Sequence, residues 1–217
     1  MNQLTFKFPF KTNYFEEDFY VSANNFEAYK LIETWPEWSS RFVNIFGPSG
    51  CGKTHLANIL KKKIKIFFIK ASDLNNNSLS LISAKECFII DEYKNNVEEK
   101  LFYSILNECY LSNQYIIINS LKPIQSFDVK LNDLKSRFGS FVNIGIDLPT
   151  DELIKVIISK NFSDKQVKID IKLLEYILKN IDRSYKGIFD LIDKLDDFSL
   201  STGKSININL IKKALNK

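Results

Sequence analysis

The stretch that decides the fold reads Phe42-Val-Asn-Ile-Phe-Gly47-Pro-Ser-Gly-Cys-Gly-Lys53-Thr54, an apolar run followed by the octet G-x-x-x-x-G-K-T. The apolar run predicts a buried strand, and the amphipathic pattern after Lys53 predicts a helix. Between such elements, glycines let successive backbone N–H groups face one point, where the helix N-terminus adds partial positive charge. The octet in this position is typical of a loop that binds nucleotide phosphates, and a simple strand-to-helix turn is a poor alternative.

Each residue of this loop is a candidate ligand for ATP or ADP, and two of them have specific roles. Lys53 is expected to reach the β- and γ-phosphates, and the Thr54 hydroxyl is expected to hold Mg²⁺. The candidate nucleotide ligands in the loop are Gly47, Pro48, Ser49, Gly50, Cys51, Gly52, Lys53 and Thr54.

A second motif, Phe88-Ile-Ile-Asp91-Glu92, is an apolar run that ends in two carboxylates. An acid at the C-terminal end of a parallel strand lies beside phosphates bound at the same edge of the sheet. Asp91 is therefore the second candidate Mg²⁺ ligand, and Glu92 is a candidate for polarising an attacking water. Alone, the motif is also compatible with a strand end and a solvated loop, but the phosphate-binding loop upstream favours the catalytic role.

Apolar runs that alternate with helical patterns predict an α/β fold with a parallel five-stranded sheet wound with helices. The strand candidates are 42–46, 64–69, 87–90, 115–118 and 141–146, and helical patterns cover about 25–35, 53–62, 73–82, 97–111 and 131–138. After Pro149, Thr150-Asp-Glu predicts a helix start, and three further helical runs follow. We therefore expect an extended N-terminal peptide, 1–12, an α/β nucleotide-binding domain, 13–149, and a small all-helical domain, 150–217.

The composition excludes several classes of protein. Among the 217 residues, 45% are hydrophobic, and no apolar stretch approaches the ~20 residues of a membrane helix. The net charge of +4 is too small for a nucleic-acid-coating surface, so any DNA contact is expected to be indirect or weak. The single histidine, His55, excludes most histidine-based zinc sites and triads. The three cysteines form no CxxC pair and the start of the chain lacks a signal-peptide pattern, which predicts a reduced, cytoplasmic protein.

The order of these motifs resembles the DnaA branch of the AAA+ ATPases, from about Asp18 to the end of the chain. The resemblance rests on 47–54, Asp91-Glu92, the segment Leu131-Asn-Asp-Leu-Lys-Ser-Arg137-Phe and Pro149-Thr-Asp-Glu-Leu. Because no helix-turn-helix segment follows the helical part, the chain looks closer to the Hda-like regulatory inactivators of DnaA. The stretches 35–38 and 162–166 are similar to the alphaproteobacterial type of these regulators. The resemblance implies an AAA+ P-loop NTPase fold with a helical lid.

The resemblance also implies roles for polar residues outside the two motifs. Arg137 matches an arginine finger, which reaches the nucleotide of a neighbouring subunit, with a surface arginine on a short helix as the alternative. Asn119 or Ser120 occupies the polar sensor position at the end of the fourth strand. The second sensor of the family, usually arginine, aligns with Lys186, whose point charge lacks the planar fork of arginine, and Arg183 is the alternative for this role.

The N-terminal stretch Gln3-Leu4-Thr-Phe6-Lys-Phe8 resembles the short peptide by which Hda-like proteins bind the DNA polymerase III sliding clamp, with Phe where Leu is usual. Gln3, Leu4, Phe6 and Phe8 are thus the candidate partner-binding residues. An extended peptide with alternating apolar side chains suits a groove on a partner. A terminal strand packed on the chain's own sheet is the alternative.

Two functions are compatible with these features, and a third is disfavoured. The first is a regulator of replication initiation that acts with the sliding clamp to promote hydrolysis of DnaA-bound ATP. The second is an autonomous AAA+ ATPase, related to the initiator or to helicase loaders, in which Glu92 and Arg137 support turnover within a homo-oligomer. A small-molecule kinase is disfavoured because its lid would be rich in arginine, whereas 150–217 is mostly Ile, Leu, Lys and Asp.

Overall fold

A computed structural model describes residues 14–84, 86–167, 169–202 and 205–215 of the chain. The described residues form two compact units, one from Tyr14 to Asp147 and one that begins at Leu148. The candidate clamp-binding residues at positions 3, 4, 6 and 8 lie outside the described residues.

The first unit is built on a parallel sheet of five strands in the spatial order β2-β3-β4-β1-β5. Its strands are β1 (Phe42–Phe46), β2 (Ile66–Lys70), β3 (Cys87–Tyr93), β4 (Tyr115–Ser120) and β5 (Val142–Gly145). Parallel neighbours need crossover connections, and helices supply most of them. The predicted five-stranded parallel sheet wound with helices is confirmed.

The helices of this unit are α1 (Phe26–Glu33), α2 (Lys53–Lys63), α3 (Glu99–Leu111) and α4 (Asn132–Gly139). One core cluster joins the sheet to α3 and α4, and its largest members include Phe42, Phe88, Phe102 and Phe138. The residues that alternate with these core residues along the strands face the other side of the sheet and are also buried. They include Val43, Ile45, Ile89 and Ile117. The central strands are apolar on both faces because both faces are covered.

The segment predicted to be helical at 73–82 does not form an α-helix. It forms two 3₁₀ helices, Ala71–Asp73 and Asn76–Ala84. Local side chains take the backbone donors of this segment: the Asn77 N–H donates to Asn75 Oδ1 over 2.9 Å, and the Asn75 N–H donates to Ser78 Oγ over 3.2 Å. Asparagine and serine compete with the α-helical ladder in this way, which a hydrophobic period alone does not reveal.

The second unit is helical in its described part, with α5 (Asp151–Asp164), α6 (Ile171–Asn180), α7 (Tyr185–Thr202) and α8 (Ile208–Ala214). The predicted start at Thr150 is confirmed, because its Oγ1 accepts a hydrogen bond from the Leu153 N–H over 3.3 Å. Ile154, Phe162, Ile177 and Leu195 are among the side chains that form its core. Among the residues that the structure describes, no helix is both long and apolar enough to cross a membrane.

Candidate nucleotide-binding site

The loop between β1 and α2 has a backbone that requires glycine at two points. Gly52 has φ 100° and Gly50 has φ 84°, in the left-handed region that other residues rarely adopt. A Cβ atom on Gly52 would lie 2.8 Å from Cε2 of Phe19, closer than such atoms approach. The loop conformation and the packing of Phe19 therefore depend together on glycine at position 52.

We expect Gly52→Ala to lower the free energy of unfolding by about 1–3 kcal/mol, because alanine adds backbone strain and a clash with Phe19. Gly139→Ala is the matched control, since nothing lies within 4 Å of a Cβ added there. Urea unfolding of both variants checks the prediction, with the control expected within about 0.5 kcal/mol of the parent or above it. Equal stability of the two variants would contradict the loop geometry.

Lys53, the first residue of α2, folds its side chain back over the loop. Its Nζ donates to the carbonyl oxygens of Gly47 over 2.8 Å and of Pro48 over 2.9 Å. Phosphate oxygens are stronger acceptors than neutral carbonyls for a charged donor. The ammonium group is thus held at the loop by bonds that phosphate oxygens can replace.

The thiol of Cys51, within the same loop, is buried. Burial raises the pKa of Cys51, although the nearby charge of Lys53 opposes that shift. Since the thiolate is the reactive form of cysteine, this side chain fits a packing role in the loop better than a reactive one.

Thr54, Asp91 and Asn119 form a chain of hydrogen bonds that joins α2 to the ends of β3 and β4. Thr54 Oγ1 donates to Asp91 Oδ2 over 2.8 Å, and Asn119 Nδ2 donates to Asp91 Oδ1 over 3.0 Å. Asp91 is 2% exposed and Asn119 is fully buried. The structure thus brings together the two predicted Mg²⁺ ligands and one of the two sensor candidates.

This chain of hydrogen bonds fits a nucleotide with Mg²⁺ in two respects. The Thr54 hydroxyl and the Asp91 carboxylate are hard oxygen donors side by side, which suits a cation that takes one or two protein ligands and completes its shell with phosphate and water. Asn119 Oδ1 is buried without a hydrogen-bond partner among the described residues. Because an unpaired buried acceptor is costly, this atom needs a donor, which a nucleotide-bound water can supply.

Glu92 does not take part in this chain of hydrogen bonds. The register of β3 against β4 shifts between Ile90 and Tyr93, so Asp91 and Glu92 together oppose Asn119, and Glu92 has φ 57°. A bulge of this kind re-aims side chains at the end of a strand. The Glu92 carboxylate accepts from Lys70 Nζ over 3.0 Å, at half-exposed positions, and this contact raises the pKa of Lys70. The residue predicted to activate water is therefore paired with a lysine of the neighbouring strand β2.

The structure distinguishes the contacts of Asn119 and Ser120, the two residues that the sequence left as candidates for the sensor position. Ser120 Oγ accepts from Asn44 Nδ2 over 2.8 Å and donates to the Lys122 carbonyl over 2.7 Å. Asn44 is fully buried in β1, and its Oδ1 also accepts from the Ile124 N–H over 2.9 Å. Ser120 thus fastens the loop that follows β4, and Asn119 is the sensor candidate that touches Asp91.

Arg137 projects from α4 and is held by two neutral side chains of α3. Its Nη2 donates to Asn107 Oδ1 over 2.7 Å, and its Cζ lies 4.4 Å from the ring centroid of Tyr110. The guanidinium is half-buried, whereas Leu134 and Phe138 of the same helix are buried in the core. Both partners are uncharged, so they orient the guanidinium without neutralising its charge.

The second-sensor candidates lie in the helical unit. Lys186 is exposed in the first turn of α7. Arg183 precedes that helix and pairs with Asp151, with 3.3 Å between Nη2 and Oδ1. Their relation to the nucleotide stays a prediction.

Sequence reasoning missed Phe19, Lys70, Asn107 and Tyr110, which support the predicted site residues. Phe19 packs against the loop and Lys70 pairs with Glu92. Both contacts join segments that are distant in the sequence, so the sequence pattern does not show them. Asn107 and Tyr110 are spaced three residues apart, and that spacing places both on one face of α3. The spacing of this polar and this aromatic residue on one helix face was the available signal, although α3 carries other polar and aromatic residues as well.

Comparison of the whole sequence identifies relatives among replication initiators, although no family model matches. The chain is 28% identical to the chromosomal replication initiator protein DnaA of Buchnera aphidicola, over 99% of this chain and 53% of that protein. It is 25% identical to DnaA of Borreliella afzelii, over 97% of this chain and 49% of that protein. The chain therefore spans about half the length of the curated relatives that it matches. These matches show homology to DnaA-family AAA+ ATPases.

Solved structures show the same fold. Domain III of DnaA from Thermotoga maritima superposes with a TM-score of 0.77 at 21% identity, covering 96% of this chain and 98% of that one. AMPPCP-bound DnaA from Aquifex aeolicus gives 0.68 at 23% identity, over 86% and 66% of the two chains. The RuvB branch migration motor of Thermotoga maritima gives 0.60 at 23% identity, over 81% and 61%. The predicted AAA+ P-loop fold and the relation to DnaA are confirmed, and the narrower assignment to Hda-like regulators stays a prediction.

Proposed function

We propose that this homologue of the DnaA AAA+ region regulates replication initiation by promoting hydrolysis of ATP bound to DnaA, together with a sliding clamp on DNA. The observation that carries the proposal is the placement of Arg137. Among the described residues, its guanidinium contacts Asn107 and Tyr110 of α3 and not the loop 47–54. A charged group held at the surface by neutral partners suits action on the nucleotide of another protein.

In this proposal the chain's own ATP or ADP sets its conformation. The loop amides and the Lys53 ammonium hold the phosphates, and the Thr54 hydroxyl and Asp91 carboxylate hold Mg²⁺. When bound, the metal supplies positive charge that offsets the charge of the phosphates. Asn119 hydrogen-bonds Asp91 and thereby fixes the orientation of that carboxylate. The solved structure of an AMPPCP-bound DnaA supports binding of an adenine nucleotide.

Lys186, with Arg183 as the alternative, is the proposed second sensor on the helical domain at 150–217. As a point charge, the Lys186 ammonium would hold a phosphate oxygen less directionally than the fork of an arginine. We also propose a cytoplasmic location.

Gln3, Leu4, Phe6 and Phe8 are the proposed clamp ligands within the N-terminal peptide 1–12. In the double variant Leu4→Ala/Phe6→Ala, clamp binding should be lost while ATP binding stays intact. Unchanged clamp affinity of this variant would contradict the peptide assignment.

The experiment that tests the proposal measures hydrolysis of DnaA-bound ATP with and without this protein, each with and without clamp loaded on DNA. We expect stimulation that requires both this protein and the loaded clamp. No stimulation in any combination would contradict the proposed function.

An autonomous ATPase is the second candidate, and the acid that follows Asp91 favours it. Glu92 is the carboxylate that would polarise water, and the Lys70 ammonium holds one of its two oxygens in this structure. If the chain is a self-contained motor, the purified protein alone hydrolyses ATP steadily, and Glu92→Gln removes that activity. Steady turnover by this protein alone, without stimulation of DnaA, would favour this function, with a homo-oligomer as the acting form.

The proposal also covers contact with DNA. One solved DnaA, similar to this chain with a TM-score of 0.67, is bound to AMPPCP and single-stranded DNA. For this chain we propose that DNA contact is weak, or indirect through the clamp, because the net charge of +4 is modest.

A further inference from the structure

The contacts between Arg137 and α3 are specific in direction and chemistry. Asn107 Oδ1 accepts from one terminal nitrogen over 2.7 Å, and the Tyr110 ring lies under the guanidinium at 4.4 Å from its centroid. An arginine carries five N–H donors in a rigid fork, so one hydrogen bond fixes one corner and leaves the other donors for a ligand. The ring fixes the plane of the fork, because cations and guanidinium groups favour the faces of aromatic rings.

The helices that carry these residues are themselves held in place. The carboxylate of Glu99, at the start of α3, accepts from the backbone N–H groups of Lys130 and Leu131, which lead into α4. Farther along, the rings of Phe102 and Phe138 meet edge to face with centroids 5.9 Å apart. The backbone of α4 is therefore tied to α3 at both ends, and the freedom left to Arg137 is that of its side chain.

We propose that Asn107 and Tyr110 are positioning residues that preorganise Arg137 for the nucleotide of its partner. This inference rests on the proposed function of Arg137. A long arginine side chain loses rotamer freedom when it engages a ligand, and prior orientation reduces that loss. Precise orientation of a charged group toward the reacting phosphate also increases its effect on the rate.

The chemistry of the two partners suits positioning rather than inhibition. A carboxylate would hold the guanidinium by charge and compete with the phosphates of the partner. Asn107 and Tyr110 are neutral and leave that charge available. Tyr110 is 55% exposed at the end of α3, and Asn107 is half-buried, so neither substitution removes a buried core side chain.

The test compares Tyr110→Leu and Asn107→Leu with the parent in clamp-dependent hydrolysis of DnaA-bound ATP. We expect each to lower the maximal stimulated rate about tenfold, with little change in the concentration of this protein that gives half-maximal stimulation. Tyr110→Phe keeps the ring and should retain the parent rate. Melting temperatures close to that of the parent would show that the variants fold.

Leu111→Ala is the matched control, because it removes exposed apolar surface from the same helix end without touching the guanidinium. Equal rates for the parent and Tyr110→Leu would overturn the inference. So would a loss of rate with Leu111→Ala as large as that with Tyr110→Leu, or a faster rate than the parent in either Tyr110→Leu or Asn107→Leu. Arg137→Ala, measured in parallel, separates this inference from the proposed function. If Arg137→Ala has no effect, the proposed function fails; if it has a large effect and Tyr110→Leu and Asn107→Leu have none, only the positioning role fails.

Discussion

Replacing Arg137 with alanine is expected to lower the stimulated hydrolysis of DnaA-bound ATP by about 10³- to 10⁵-fold, the range that an arginine finger contributes to the rate of phosphoryl transfer. The physical reason is that negative charge on the transferred phosphoryl group and leaving oxygen is stabilised in the transition state by a positive charge close to it. Asn107 and Tyr110 do not carry charge, so neither can replace the guanidinium. The measurement is single-turnover hydrolysis of radiolabelled ATP preloaded on DnaA, in the presence of loaded clamp.

Arg41→Ala is the matched control for this prediction. Arg41 is exposed in the same unit and is bonded to Asn113 rather than to α3 side chains beside Arg137. We expect its removal to leave stimulation within about twofold of the parent, since exposed charges that do not contact the reacting atoms contribute little. Arg137→Lys keeps the charge but loses the fork, and should recover only a small part of the rate. A full rate with Arg137→Ala would contradict the proposed function, because the placement of Arg137 carries that proposal.

The sheet was predictable because its strands are buried on both faces. Such strands appear in the sequence as short runs of Ile, Val and Phe, and the run at Phe42–Phe46 is observed with the predicted bounds. The phosphate-binding octet that follows was equally predictable, because its backbone adopts a left-handed conformation at Gly52 that favours glycine. Strong local constraints of this kind leave a pattern in a single sequence.

The parts that sequence reasoning missed depend on contacts between segments far apart in the chain. Asn119 and Ser120 are adjacent and both polar, and only the pairing of β4 with β1 and β3 directs one to Asp91 and the other to Asn44. The Lys70 contact of Glu92 likewise arises from the neighbouring positions of β2 and β3. A motif predicts which residue types meet a ligand, whereas register decides which of two neighbours reaches it.

Replacing Lys53 with alanine should weaken ATP binding by about tenfold to a hundredfold. Loss of charge-assisted hydrogen bonds to phosphate costs roughly 1.5–3 kcal/mol, and each 1.4 kcal/mol is a factor of ten in affinity. Equilibrium titration with a fluorescent ATP analogue measures the change. Lys61→Ala is the matched control, because Lys61 is exposed near the end of the same helix and its removal should leave affinity within about twofold.

The same variant also separates the two candidate functions, because they require nucleotide on different proteins. In the regulatory proposal the hydrolysed ATP is bound to DnaA. Lys53→Ala should therefore lower stimulation only to the extent that this protein must bind its own nucleotide. Saturating ATP should then restore the stimulation. An autonomous motor hydrolyses the ATP held by its own Lys53, and since that ammonium also stabilises charge on the phosphates during transfer, saturating ATP cannot restore the maximal rate. Recovery at high ATP therefore favours action on a partner, and a persistent loss of the protein's own turnover favours a motor.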